Sequence, residues 1–223
     1  MALRSPGLEA GLRQGAADLL LVLSDGQFTQ LLDYLDLLQK WGRVYNLTAV
    51  RDPQDMLTHH LLDSLAVVAP LGRHLAQRDP HARDARLLDV GSGAGLPGVV
   101  IAICFPGLVV TCVDTVAKKA AFIQQVAASL RLPNLLGVHA RVEKLAERFD
   151  VIVSRAFASL PDFVAWSARA LGEGGVWLAM KGRHPQDELR ALPGDVEVFH
   201  VEQLQVPGLD AQRCLVWMRR RTK

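Results

Sequence analysis

Three glycines at alternate positions, Gly91, Gly93 and Gly95, stand between two acids, Asp89 and Asp114. Residues 87–98, Leu-Leu-Asp-Val-Gly-Ser-Gly-Ala-Gly-Leu-Pro-Gly, read as an apolar strand that stops, turns sharply and enters a helix. Glycine lets the backbone turn and a ligand come close, and a helix start offers its amides to the crevice. Gly93 to Gly98 also spells G-x-G-x-x-G, the phosphate-cradling fingerprint of dinucleotide folds. Two features pull the other way. Asp89, two residues before the first glycine, would repel a pyrophosphate but attract a cation or accept hydrogen bonds. Asp114 ends the next apolar run, 108–113, where an acceptor for ribose hydroxyls belongs. An acid on each side of the loop fits a positively charged nucleoside better than one carrying phosphates. S-adenosyl-L-methionine, with its adenosine, sulfonium and ammonium, is such a ligand. A dinucleotide and a turn without ligand are the alternatives.

Other residues carry possible chemistry. The segment after the fourth expected strand is Ser154-Arg155-Ala156. It holds neither the Asn-Pro-Pro-aromatic run that methylation of an exocyclic amine would suggest nor the Pro-Cys nucleophile that a pyrimidine carbon would need. On a helix, His60, Asp63 and Ser64 share a stripe opposite Leu57 and Leu61. His59 and Asp63 have metal-ligand spacing, but no further ligand cluster accompanies them, and no metal is expected. A His–Asp contact that packs the helix and a contact to substrate both remain open, and Asn46 divides in the same way. Lys181 is equally balanced between a contact to an anionic partner and solvent, while Trp166 and Trp177 read as core.

The elements that must place these residues follow two rhythms. The first 70 residues are helical: 26–45 spaces Phe28, Leu31, Leu32, Leu35, Leu38 and Trp41 as one helix does, and Asp52-Pro53 starts another that is expected to end at Pro70. Residues 72–85 read as a polar linker. From Arg86, strands at 87–90, 108–113, 135–139, 150–154 and 176–180 alternate with helices at 95–105, 116–131, 142–147 and 161–171. The strands are short and apolar throughout, as parallel strands covered on both faces must be. Residues 196–203 and 212–217 then form two strands around a Pro-Gly turn, with no helix between them. The expected division is a helical cap over 1–71, a linker over 72–85 and a ligand-binding domain over 86–223. Ligands in such sheets lie outside the carboxyl ends of the strands, where the glycine loop and Asp114 already point.

Composition sets the bounds. Half the residues are apolar and 22% charged, enough for a substantial core and against disorder. Of the +2 net charge, residues 1–85 carry eight Lys/Arg against ten acids and residues 86–223 carry seventeen against thirteen. The glycine-loop half is the more basic, ending in Arg219-Arg220-Arg221-Thr222-Lys223, a solvated tail or a phosphate contact. Cys104, Cys112 and Cys214 lack C-x-x-C spacing and are expected to be reduced, buried thiols. The apolar run 19–23 is too short for a signal peptide or a membrane span, so a cytoplasmic protein is expected.

With those residues in view, the chain resembles the bacterial small-subunit ribosomal RNA guanine-N7 methyltransferases, once called glucose-inhibited division protein B. The resemblance runs from about Phe28 to Arg219. It is carried by Asn46-Leu-Thr-Ala49, His59-His-Leu-Leu-Asp-Ser-Leu65, Asp89 to Gly98, Asp114 to Lys119, Arg141-Val-Glu143, Ser154-Arg-Ala156 and Met180-Lys-Gly182. It implies the Rossmann-like class I fold of S-adenosylmethionine-dependent methyltransferases, a mostly parallel seven-stranded sheet closed by an antiparallel hairpin. It also implies methyl transfer to ring nitrogen 7 of one guanine in 16S ribosomal RNA, with S-adenosyl-L-homocysteine as product. The cofactor contacts expected are Asp89, Gly91, Ser92, Gly93, Gly95, Leu96, Asp114, Thr115, Val116, Val142, Glu143 and Arg155. Among them Val142 and Glu143 border the adenine, Asp114 holds the ribose and Arg155 closes the site. The expected RNA contacts are Asn46, His59, His60, Asp63, Lys181, Arg183 and Arg213. The partner would be 16S RNA or the small ribosomal subunit, and the chain a monomer. Nitrogen 7 has a free lone pair and no proton to lose, so no general base is expected and Arg155 would act by positioning.

Overall fold

The computed structural model describes residues 6–78 and 85–221. Seven strands form one sheet in the order β3-β2-β1-β4-β5-β7-β6. These are β1 (Arg86–Val90), β2 (Val109–Asp114), β3 (Leu135–His139), β4 (Phe149–Arg155), β5 (Leu171–Lys181), β6 (Val196–Leu204) and β7 (Arg213–Arg220). The first five pair in parallel; β7 runs antiparallel to β5, and β6 antiparallel to β7. The hairpin therefore closes a parallel sheet as the sequence predicts.

Side chains of a strand alternate between faces, and two separate apolar clusters result. Leu87, Val151, Val153 and Leu178 belong to one; Leu88, Ile152, Trp177 and Ala179 belong to the other. The second face is covered by α8 (Leu160–Ser167). The first is covered by α6 (Gly98–Cys104) and α7 (Ala117–Leu130), and the buried residues of the N-terminal helices α1 (Pro6–Asp18) and α2 (Asp25–Tyr45) join the same cluster. Polar contacts fix that packing. Gln27 donates to the carbonyls of Ile103 and Cys104, and Gln30 to that of Leu130, so α2 satisfies the carbonyl ends of both helices beneath it.

Several boundaries differ from those the sequence suggests. Asp52 does cap a helix, accepting from the amides of Gln54 and Asp55, and α3 (Pro53–Met56) follows. The chain then passes through a π-helical segment, Leu57–Leu62, into α4 (Asp63–Leu65). Pro70 does not end the run. It sits in the first turn of α5 (Val68–Arg78), where its missing N–H would be unpaired in any case, so residues 72–78 are helix and not linker. Residues 79–84 of the expected linker lie outside the described residues. The helix expected at 142–147 is a 3-10 turn, Val142–Lys144, and a short helix, α9 (Gln186–Arg190), had no clear sequence signal. Among the described residues no helix is long and apolar enough to cross a membrane.

Candidate functional site

The carboxyl ends of β1, β2, β4 and β5 open onto two cavities that share Gly91, Lys119 and Ala156. One, of about 550 Å³, is lined on its cap side by Thr48, His59, His60 and Asp63 and on its sheet side by Ser92, Gly93, Leu96, Arg155, Lys181 and Arg213. The other, of about 530 Å³, is lined by Asp114, Thr115, Val116, Arg141, Val142, Glu143, Phe157 and Trp166. Ten of the twelve expected cofactor residues thus divide between the two, with Gly91 at the junction. Gly91 has φ +64, and a Cβ on it would collide with the Phe157 ring, so only glycine serves there.

The two flanking acids both bind the loop's own backbone. Asp89 is fully buried behind the loop and lines neither cavity; its Oδ2 accepts from the Gly98 amide at 2.8 Å. A Cβ on Gly98 would lie 2.7 Å from that oxygen, so glycine permits the approach. Burial pushes the Asp89 carboxyl up to about 7, against the pull of the Gly98 amide and the Arg155 charge. The expectation that Asp89 contacts a cofactor is corrected accordingly: it is the brace of the turn. Gly95 likewise lines neither cavity. Asp114 accepts from Gly93 N–H at 3.0 Å through Oδ2 and from Val116 N–H at 2.9 Å through Oδ1. Lys119 Nζ stands 3.5 Å from it. In a phosphate-cradling loop these amides face the phosphates. Here the first amide of α6 and the middle glycine of the loop are already held by carboxylates, which removes the dinucleotide alternative. From the other side the Tyr34 hydroxyl donates to the Ala94 carbonyl at 2.8 Å, tying α2 directly to the loop.

The larger cavity is built around Asp63. Its Oδ2 takes Arg155 Nη1 at 2.7 Å and its Oδ1 takes Arg213 Nε at 2.8 Å, so one nearly buried acid orients two cations from β4 and β7. Arg155 also donates to the His59 carbonyl at 2.9 Å. That residue lies in the π-helical segment, where altered hydrogen bonding is frequent at functional sites. Asp63 therefore partners arginines and not a histidine. His60 instead pairs through Nε2 with Thr48 Oγ1 at 2.8 Å. Burial, and then the Arg155 charge, lower its pKa to about 4, so its ring is neutral near pH 7. Lys181 reaches the Ala158 carbonyl and Glu188. With Lys119, the lining holds four cations against the single carboxylate of Asp63.

Arg155 and Phe157 line opposite cavities, although residues two apart in a strand share a face. Ala156 between them has φ +50, a left-handed conformation uncommon outside glycine, and this turn separates the two side chains. Sequence reasoning gave no sign of it, nor of Phe157, Lys119 or Tyr34 as parts of the site. Trp166 is corrected too: it is 42% exposed at the second cavity, whereas Trp177 is core as expected and bonds Ser167. Two RNA candidates stand apart from both cavities. Asn46, left-handed at φ 52, ends α2 and is exposed, and Arg183 is exposed beyond β5. In the basic tail, Arg219 pairs with Glu197 and Arg220 with the Ala168 carbonyl; residues 222–223 lie outside the described residues.

The family model described as rRNA small subunit methyltransferase G matches residues 27–216. The chain belongs to that family. The ribosomal RNA small subunit methyltransferase G of Acidovorax sp. (strain JS42) is 70% identical over 214 residues, 95% of each chain. Among solved structures, TrmN from Thermus thermophilus superposes with a TM-score of 0.54 at 16% identity, over 74% of this chain and 53% of that one. The glycopeptide N-methyltransferase MtfA, solved with S-adenosyl-L-methionine, gives 0.55 at 14% identity, over 69% and 87%. The family is one of methyltransferases, and the fold is that of the class I S-adenosylmethionine-dependent enzymes.

Proposed function

We propose that the chain transfers the methyl group of S-adenosyl-L-methionine to nitrogen 7 of one guanine in 16S ribosomal RNA. The observation that carries this reading is the junction at Gly91, where a cavity that balances the acids Asp114 and Glu143 against Lys119 and Arg141 meets one lined by four cations and a single carboxylate. The residues fit the cofactor. Asp114, already fixed by two amides, keeps lone pairs for ribose hydroxyls, and Val116, Val142 and Phe157 supply apolar walls for a purine. Gly91, Ser92 and Gly93 lead the aminoacyl end toward Arg155, whose guanidinium suits a carboxylate. When bound, the cofactor supplies a methyl group already activated on a sulfonium.

Everything else is positioning. Lys181 and Arg213 stand where the phosphates of an RNA strand would hold the target nucleotide, and a stacked base must be presented unpaired to reach a cavity of this kind. Tight in-line placement is worth roughly 7–11 kcal/mol. His60, with its pKa held near 4, is a poor proton acceptor at neutral pH, which suits an acceptor nitrogen that has no proton to give up. The family membership and the name of the Acidovorax relative support ribosomal RNA as substrate. In this reading the enzyme acts as a cytoplasmic monomer on 16S RNA or on the small subunit.

The test is incubation with methyl-labelled cofactor and either deproteinised 16S RNA or assembled small subunits, followed by mapping of the modified base. Label on nitrogen 7 of a single guanine is expected. Label on neither substrate, or on another base, overturns the reading.

A further inference from the structure

Trp166 is placed where the fold does not need it. α8 buries Leu160, Phe163, Val164 and Ser167, the arc that a helix presents to a core, and Trp166 lies off that arc. The residue is 42% exposed, although an indole buried on folding is among the most stabilising of apolar groups. It nevertheless lines the acid-bearing cavity beside Phe157, with ring centroids 5.7 Å apart and planes at 79°. Phe157 is itself fixed, since it occupies the space that a Cβ on Gly91 would need. The two rings make a rigid aromatic corner on one side of the cavity. Val116, also 36% exposed, and Val142 line the same cavity. Two exposed apolar side chains at one cavity leave surface that a flat apolar ligand would take out of water.

We propose that Trp166 is a binding residue for the purine ring of the adenosyl cofactor, packing against it beside Phe157 on the α8 side of the cavity. The proposal rests on the reading of this cavity as the adenosyl site. An RNA base would be the other flat ligand available, but Trp166 does not line the cavity that carries the four cations. The indole therefore belongs to the cofactor's side of the junction.

S-adenosyl-L-homocysteine is titrated into the full-length wild type, Trp166→Phe and Trp166→Ala, read by calorimetry and by intrinsic fluorescence. In the wild type, saturation changes the tryptophan emission. In Trp166→Phe that change disappears, because Trp177 and Trp217 are buried and Trp41 packs among Tyr45 and Phe122. Trp166→Ala weakens binding roughly tenfold, the scale of an aromatic stack on a base, whereas Trp166→Phe stays within about threefold. RNA affinity moves in neither variant. A dissociation constant for Trp166→Ala within about twofold of wild type overturns the proposal, as does a loss confined to RNA affinity, which would make the indole an RNA platform. A wild type that binds no S-adenosyl-L-homocysteine overturns the adenosyl reading itself, and that arm separates the two failures.

Discussion

Asp63 and Asp114 are both buried acids, one at each cavity, and they hold different kinds of partner. Asp63 gives its two oxygens to the side chains of Arg155 and Arg213, residues 92 and 150 positions away. Asp114 gives its two oxygens to backbone amides, one of them in the glycine loop. The first arrangement assembles a cationic wall from distant strands, with charge to spare for an anionic partner. The second fixes the shape of a loop and leaves the cavity beside it with apolar walls and balanced charge, Asp114 and Glu143 against Lys119 and Arg141. Ion pairs between side chains answer to salt and to truncation; amides held by a carboxylate answer to the loss of one acceptor. The two sides of the site should therefore fail in different ways.

The largest effect is expected on the cationic side. Asp63→Ala leaves two guanidiniums facing each other without their acid, and removing one partner from a buried pair costs about 3–5 kcal/mol. For a chain of this length that is a fall in Tm on the order of 10 °C, read by calorimetry or circular dichroism. An unchanged Tm would mean that the arginines have other anchors. Next comes salt. Two cations on an RNA strand, Lys181 and Arg213, predict an affinity for 16S RNA fragments that drops roughly sevenfold between 50 and 200 mM salt, while S-adenosyl-L-homocysteine binding stays nearly constant. Parallel salt dependence of the two ligands would dissolve the distinction between the cavities.

Asp114→Asn comes third and strikes the other side. It keeps an acceptor for one amide but loses the charge and the second, and S-adenosyl-L-homocysteine affinity should fall about tenfold with RNA affinity intact. Equal losses in both would make the acid purely structural. The smallest effect concerns Asp89. Its carboxyl lies at 3.8 by ordinary measure and at about 7 in the fold, so the native state holds the proton more tightly than the unfolded chain. Its contribution to stability is full below about pH 4 and is lost as the pH rises through 7. Thermal melts between pH 5 and 8 should show the wild type losing ground to Asp89→Asn as pH increases. His60 runs the opposite way, its depressed pKa costing stability as pH falls from 6.5 toward 4, so the two contributions separate in the upper part of the range.

The amide-held side was largely legible in the sequence and the ion-paired side was not. Glycines at 91, 93 and 95, flanked by Asp89 and Asp114, are a local pattern, and short apolar strands place it at a carboxyl edge without reference to distant residues. Even so, Asp89 turned inward, because a sequence shows an acid beside a loop but not which face of the strand it takes. The partners of Asp63 could not be read, since Arg155 and Arg213 reach it only through the sheet order. The π-helical segment before Asp63 and the left-handed Ala156 are backbone choices made by tertiary contacts. Pro70 shows the same limit in small: a proline ends one helix or begins another, and local pattern alone does not choose.

The acids flanking the loop hold the Gly93 and Gly98 amides that a phosphate would need, which favours an adenosyl cofactor at the site. Calorimetric titration of the wild-type protein with S-adenosyl-L-homocysteine and, separately, with NAD tests it most directly. One equivalent of S-adenosyl-L-homocysteine should bind and NAD should give no heat. Binding of NAD, with none of S-adenosyl-L-homocysteine, would contradict the account.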